Sequence, residues 1–276
     1  MGIAAARMAL QAAGLGAEDM GLILSACAVA EQPIPAMAPL IKDGLGLRCS
    51  STFAFDVNAS CLSFVAACEV ASLYLASGQA EHVLVVSSEI ASRALPWQDD
   101  VDTAAMFGDG AAAAVISRGS GEARLVASHM ETWSEGYRDC ELPAGGTRLD
   151  YHAAPAAFAA GATFRMDGRA AYKLAAQVIG PFMKTLLSKA GWQLDEVDVV
   201  VPHQASRGAL DHLVNRLGIA PAKIVDLIRD HGNQIAASIP MALHQARLEG
   251  RLGKGKKVLL VGTSAGFSIG GLCLVT

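Results

Sequence analysis

Long apolar runs, excess basic charge and aromatic side chains are all scarce in this 276-residue chain. No stretch reaches 18 apolar residues without a glycine or a charge, so no transmembrane helix is expected. The first ten residues hold one arginine, Arg7, and no long apolar core, so no signal peptide is expected there. Lys and Arg number 22 against 26 Asp and Glu, a net charge of −4. With neither a basic footprint nor a basic amphipathic tail, no nucleic acid and no membrane is expected as a partner. Charged residues are only 17% and apolar residues 52%, which excludes a disordered chain. Aromatics are only 5%, while Ala, Gly, Val and Leu dominate. Small side chains of this kind suit helices packed closely on a buried sheet. The length fits one large domain or two small ones.

Motifs are missing too. The six cysteines, at 27, 49, 61, 68, 140 and 273, include no CxxC pair and mostly sit in apolar context. Reduced, buried thiols in a cytoplasmic protein are the expectation. No HxH, HxxxH or mixed Cys/His spacing suggests a metal. No GxGxxG or Walker loop suggests a nucleotide cofactor. No cofactor is therefore expected.

What is present is a repeat. Residues 13–24 read AGLGAEDMGLIL and residues 190–201 read AGWQLDEVDVVV, at an offset of 177 (Ala190 against Ala13). EHVLVVSS at 81–88 is echoed by KKVLLVGT at 256–263, at an offset of 175 (Lys256 against Glu81). Two echoes at nearly one offset point to a duplicated unit. The halves are unequal: counting from Arg124, 66 residues precede the second Ala-Gly, but only 12 precede the first.

Each unit reads as alternating strands and helices. The first gives strands at 22–26, 52–57, 82–87 and 111–117, with helices at 36–44 and 61–77. The second gives strands at 124–129, 197–201, 258–261 and 267–275. Its helices cover 168–190, the stretch from a Ser206 cap to Leu217, and 235–249. Such alternation implies buried, mainly parallel sheets covered by helices. Two of them make an α/β, five-layer αβαβα sandwich. The expected halves are 1–120 and 121–276.

Three segments carry candidate chemistry. In FAFDVNASCLSF a strand ends near Val57, a tight corner follows, and Cys61 falls at or beside the first turn of a helix. Free N–H groups and partial positive charge at a helix start lower a thiol pKa and favour a nucleophilic thiolate. VVVPHQAS puts His203 just past a buried strand, and HGNQIAASIP puts Asn233 in a glycine turn before a helix. Loops at strand ends are where α/β proteins keep chemistry. Each residue alone also has a plain packing explanation, and His231 rivals His203 as the catalytic imidazole.

Taken together, DVNASCLSF, FGDGAAAAVI, VPHQAS, HGNQIAASIP and GTSAGFSIGG resemble the thiolase-superfamily condensing enzymes. The nearest resemblance is to the β-ketoacyl-acyl carrier protein synthase III family, in motif order and from residue 2 to 276. It implies a decarboxylating condensation of an acyl-CoA with malonyl-acyl carrier protein. Cys61 would carry the acyl group, and His203 and Asn233 would complete the triad. The backbone N–H groups of Cys61 and Ala265 would form the oxyanion hole. Arg169, Lys173 and Arg207 match positions that meet CoA or the carrier protein. Residues 25–35 match a loop lining the acyl pocket, and the 52–57 strand matches the edge where two protomers form a homodimer.

Departures accompany the match. The C-terminal turn reads Ser264-Ala265-Gly266 instead of a glycine triplet, Thr263 stands at a phenylalanine-like position, and Arg207 is displaced by one. The resemblance further implies that a strand central to the first sheet, with residues that contact CoA, is missing before Ala13. Competing readings are a relative with another primer or acceptor (a ketopimeloyl-type synthase, or an acyltransferase making esters or amides), a non-catalytic fragment, and a cysteine hydrolase.

Overall fold

The computed structural model describes residues 1–119 and 123–276, and the expected boundary at 120/121 lies outside the described residues. The first sheet is built from β1 (Leu22–Ser25), β2 (Phe53–Asp56), β3 (His82–Glu89) and β4 (Gly110–Ser117). Its order is β2-β1-β3-β4, and only β4 runs antiparallel to its neighbour. Around it lie α1 (Gly2–Ala13), α2 (Met37–Gly44), α3 (Ser63–Ala76) and the short α4 (Val101–Ala105).

The second sheet contains β5 (Arg124–Thr132), β8 (Val199–Pro202), β9 (Lys257–Ser264) and β10 (Ser268–Val275), in the order β5-β10-β9-β8. Two-residue strands β6 (Cys140–Glu141) and β7 (Arg165–Met166) pair separately. The helices are α5 (Pro155–Gly161), α6 (Gly168–Ala190), α7 (Arg207–Leu217), α8 (Ile228–His231) and α9 (Ser238–Leu248). The second sheet corrects the expectation of mainly parallel pairing. Only β8 and β9 are parallel in it, because β10 turns straight back from β9 through a tight turn at 265–267.

Burial explains the layers. One face of the first sheet (Leu22, Leu24, Val83, Val85) and one of the second (Val199, Val201, Val258, Leu260) share a single core with α3 and α9. The opposite face of the first sheet (Ile23, Leu84, Val86) packs on α1 and α2, and that of the second (Val200, Leu259, Val261) packs on α6 and α7. Helix, sheet, central helices, sheet, helix make the five layers. Strands buried on both faces need continuous apolar sequence, which is what LILS and VVVP supply.

The repeat has a direct structural basis. Gly14 and Gly191 both end their helices in the left-handed conformation, at φ 67° and 68°. The matched β-like runs become β1 and β8, and the second echo becomes β3 and β9. The strand before the second Ala-Gly, β5, lies at the sheet edge on β10. The expectation of a central strand there is therefore corrected. β1 pairs directly with β3 over four residues, and no gap opens between them.

Candidate active site

Cys61 sits two residues before α3, beside its first turn. The corner that presents it is fixed by short polar bonds. Asn58 Oδ1 accepts the Ser60 N–H at 2.9 Å, and Ser63 Oγ donates to the Ser60 carbonyl at 2.6 Å while accepting the Ala59 N–H. Ser60 is left at φ 52°. Asp56, at the end of β2, accepts the Met37 and Ala38 N–H groups at 2.8 Å and so ties the start of α2 to the same corner.

His203 follows β8 and is buried. Its N–H donates to the Val261 carbonyl at 2.8 Å. Neighbouring Gln204, fully buried, locks the turn: Nε2 donates to the Pro202 and Val225 carbonyls and Oε1 accepts the Leu227 N–H. Gly262 is required beside it, because a Cβ there would stand 2.6 Å from the His203 Cβ. Nδ1 of His203 lies 2.5 Å from Ser238 Oγ, and that hydroxyl lies 2.8 Å from the Ile235 carbonyl.

Asn233 is fixed on three sides. Its N–H donates to Met106 O at 2.7 Å, its carbonyl accepts from Gly108 N–H at 3.1 Å, and its Oδ1 accepts from Ile235 N–H at 2.8 Å. Nδ2 donates one hydrogen to the Ala205 carbonyl at 3.3 Å, leaving its second N–H for a ligand. The FGDGA segment thus serves as the seat of Asn233. Gly108 allows it, since a Cβ would collide with the His231 carbonyl. His231 itself does not line the cavity with Cys61, so the rival imidazole is set aside.

Cys61, His203, Asn233 and Ala265 all line one cavity of about 280 Å³. Its apolar wall includes Ala28, Val29, Ala91, Ala94, Phe107 and Phe164. Three non-glycine residues at positive φ, Ser60, Ile235 and Phe267, line it as well. Backbone held in that region marks where surrounding contacts override local preference.

The electrostatics correct one expectation. Burial pushes the Cys61 thiol up to about 12, with the Glu89 carboxylate adding to the rise. The N–H groups of Ala265 and of Cys61 itself pull the other way without prevailing. The nearby helix start does not lower this thiol, because desolvation outweighs it and Cys61 lies outside the helix. Burial also holds His203 down to about 4, so its imidazole is neutral at ordinary pH.

Several contributors escaped the sequence reading. Glu89 is fully buried, pushed up to about 7 by burial, and its carboxylate accepts the Ala28 and Val29 N–H groups at 2.6 and 3.0 Å. It anchors the pocket loop. Cys140 shares the cavity with Cys61. Their signals were an acid at the end of β3 and a cysteine in the two-residue strand β6, which only folding brings to the site. Arg169 and Lys173 are exposed on α6 and line none of the described cavities. Arg207 is engaged by Asp226 at 2.6 Å and Asp211 at 3.6 Å, beside a surface depression that Arg229 also lines.

Residues 55–134 match the family model for 3-oxoacyl-[acyl-carrier-protein (ACP)] synthase III, and residues 187–276 match the model for its C terminal part. The β-ketoacyl-[acyl-carrier-protein] synthase III of Agrobacterium fabrum is 37% identical over 99% of this chain and 83% of its own. The chain belongs to this family. It is an acyl-transferring condensing enzyme with a thiolase-like fold. The synthase III structure from Aquifex aeolicus superposes with a TM-score of 0.89 at 31% identity, covering 100% of this chain and 83% of that one. Xanthomonas campestris OleA, solved with bound lauric acid and lauroyl-CoA, gives 0.86 at 25% identity and covers 100% and 81%.

Proposed function

We propose that the enzyme condenses an acyl-CoA primer with malonyl-acyl carrier protein through an acyl-Cys61 intermediate. The observation that carries this reading is the convergence of Cys61, His203, Asn233 and the Ala265 turn on one largely apolar cavity. With the thiol protonated and the imidazole neutral, His203 Nε2 takes the thiol proton as sulfur attacks the thioester. The tetrahedral oxyanion rests on the Cys61 and Ala265 N–H groups. The CoA thiolate leaves and takes the proton from His203.

In the second half-reaction the malonyl thioester loses CO₂. The enolate oxygen accepts hydrogen bonds from His203 Nε2–H and the free Asn233 N–H. Its carbon attacks acyl-Cys61, the C–S bond breaks, and Cys61 leaves as a thiolate that water reprotonates.

The two halves require opposite imidazole tautomers, and Ser238 can serve both. Its single proton, given to the Ile235 carbonyl, leaves Oγ accepting from Nδ1–H and frees the Nε2 lone pair. Turned to Nδ1, it puts the proton on Nε2. Small residues at 28, 29, 91 and 94 give room for a primer longer than acetyl. A homodimer through the β2 edge, where Phe53 is exposed, and a cytoplasmic location belong to the same reading.

Intact-mass measurement with a panel of acyl-CoAs tests it. The wild type gains one acyl group, on Cys61, and releases it as a β-ketoacyl product when malonyl-acyl carrier protein is added. His203→Ala and Asn233→Ala stay able to load an acyl group, more slowly in His203→Ala, and fail to condense. Normal condensation by Asn233→Ala would overturn this division of roles.

A further inference from the structure

The Glu89 carboxylate, at the end of β3, is bonded toward both halves of the active site. It is fully buried, and among the described residues no cation counters it. A carboxylate taken out of water persists only where N–H groups are held firmly around it, and it fixes those groups in return.

One route leads to the nucleophile. Glu89 Oε1 accepts the Ala28 N–H at 2.6 Å, and Oε2 accepts the Val29 N–H at 3.0 Å. The Ala28 carbonyl in turn accepts from Asn58 Nδ2 at 3.3 Å. Asn58 Oδ1 accepts the N–H of Ser60, the residue before Cys61. The other route leads to the two enolate donors. The turn at Ile235–Ala237 packs against β3, and Glu89 accepts the Ala236 N–H. Ile235, one residue earlier, donates its N–H to Asn233 Oδ1, and its carbonyl accepts from the Ser238 hydroxyl. That hydroxyl oxygen lies 2.5 Å from His203 Nδ1.

We propose that Glu89 is a positioning residue that sets the separation between acyl-Cys61 and the enolate, and so couples decarboxylation to carbon–carbon bond formation. The proposal rests on the condensation described above. Glu89 does not line the cavity itself, so it acts through the loops it holds. In either outcome the bond from the α-carbon to its carboxylate breaks and CO₂ leaves. An enolate within reach of the acyl carbon gives its electron pair to that carbon, and the C–S bond to Cys61 breaks. An enolate out of reach takes a proton from water instead. The malonyl thioester then ends as CO₂ and an acetyl thioester, and Cys61 stays acylated. A misplacement of about 1 Å can cost about a hundredfold in rate, so a small shift between the two loops decides which outcome wins.

The experiment gives malonyl-acyl carrier protein to acyl-loaded enzyme at pH 8, above the Glu89 value of about 7. It counts CO₂ against β-ketoacyl product. Glu89→Gln keeps the length but turns an NH₂ group toward one of the N–H donors. Glu89→Asp keeps the charge but is one methylene too short to hold both loops. The wild type releases one CO₂ for each carbon–carbon bond. Both variants still load an acyl group on Cys61, condense about tenfold more slowly or worse, and release CO₂ in excess, with acetyl-acyl carrier protein as the second product. Asn58→Ala, which cuts the route on the nucleophile side and leaves Glu89 in place, gives the same excess and serves if neither Glu89 variant folds. CO₂ and product that fall together in these variants overturn the proposal, because a purely structural role scales both. Full coupling in Glu89→Asp overturns it as well, since charge without span would then suffice. A wild type that loads acyl groups but forms no product sinks the condensation reading itself.

Discussion

Ser238 Oγ lies 2.5 Å from His203 Nδ1, and the imidazole has no other partner on that side among the described residues. Removing the hydroxyl leaves a buried ring nitrogen unsatisfied in either tautomer. An unpaired buried group costs about 1–3 kcal/mol, which is about five- to a hundredfold in rate if it falls on the transition state. Ser238→Ala is expected to slow both acyl loading and condensation by that order. The ¹⁵N shifts of the His203 imidazole should change with it. A variant that loads and condenses at wild-type rates, with unmoved shifts, would reduce Ser238 to packing.

Thiol labelling should follow exposure rather than nucleophilic role. Cys49 is exposed, while Cys61 is half-buried in the cavity and burial pushes its thiol up to about 12. At pH 8 that keeps the thiol overwhelmingly protonated. Iodoacetamide is expected to mark Cys49 first, whereas an acyl-CoA marks Cys61 alone. Peptide masses after brief treatment decide it. Early alkylation of Cys61 ahead of Cys49 would mean that the free enzyme keeps a thiolate.

Glu89 gives stability a pH slope of definite sign. Burial raises its carboxyl from 4.5 to about 7, so between those values the folded protein holds a proton that the unfolded chain has lost. Its contribution is neutral below about pH 4.5 and becomes a penalty that grows as pH rises to about 7. The full penalty is roughly 3 kcal/mol, at about 1.4 kcal/mol for each pKa unit. Glu89→Gln lacks this slope, although it gives up one of the two loop hydrogen bonds at every pH. Denaturation curves at pH 5 and pH 8 should show the variant gaining on the wild type at the higher pH. An identical gap at both would refute the assignment.

Carrier docking is expected to use the exposed Lys173 on α6. Lys173→Glu should raise KM for the carrier substrate by about fivefold at low salt, the scale of one exposed ion pair. Acyl loading from CoA should be unchanged. An unaltered KM at low ionic strength would make Lys173 an ordinary surface residue.

Much of the architecture was legible in the residues. The Ala-Gly echo marks two left-handed helix caps, and LILS and VVVP are apolar at every position except Ser25 because both faces of their strands are buried. Local pattern settled those elements, since helix stops and buried strands depend on nearest neighbours. It also placed Cys61, His203 and Asn233 at strand ends and corners. It did not reveal strand order. β5 lies at an edge and β10 runs antiparallel to β9, which follow from chain reversals and long-range pairing. It misjudged the thiol, because a pKa depends on what encloses the group, and the walls around Cys61 come from residues as distant as Ala28 and Phe267. Glu89, Gln204 and Ser238 carry no motif of their own. The amino-acid order determined which residues could do chemistry, and tertiary packing alone decided which protons they hold and which cavity each one faces.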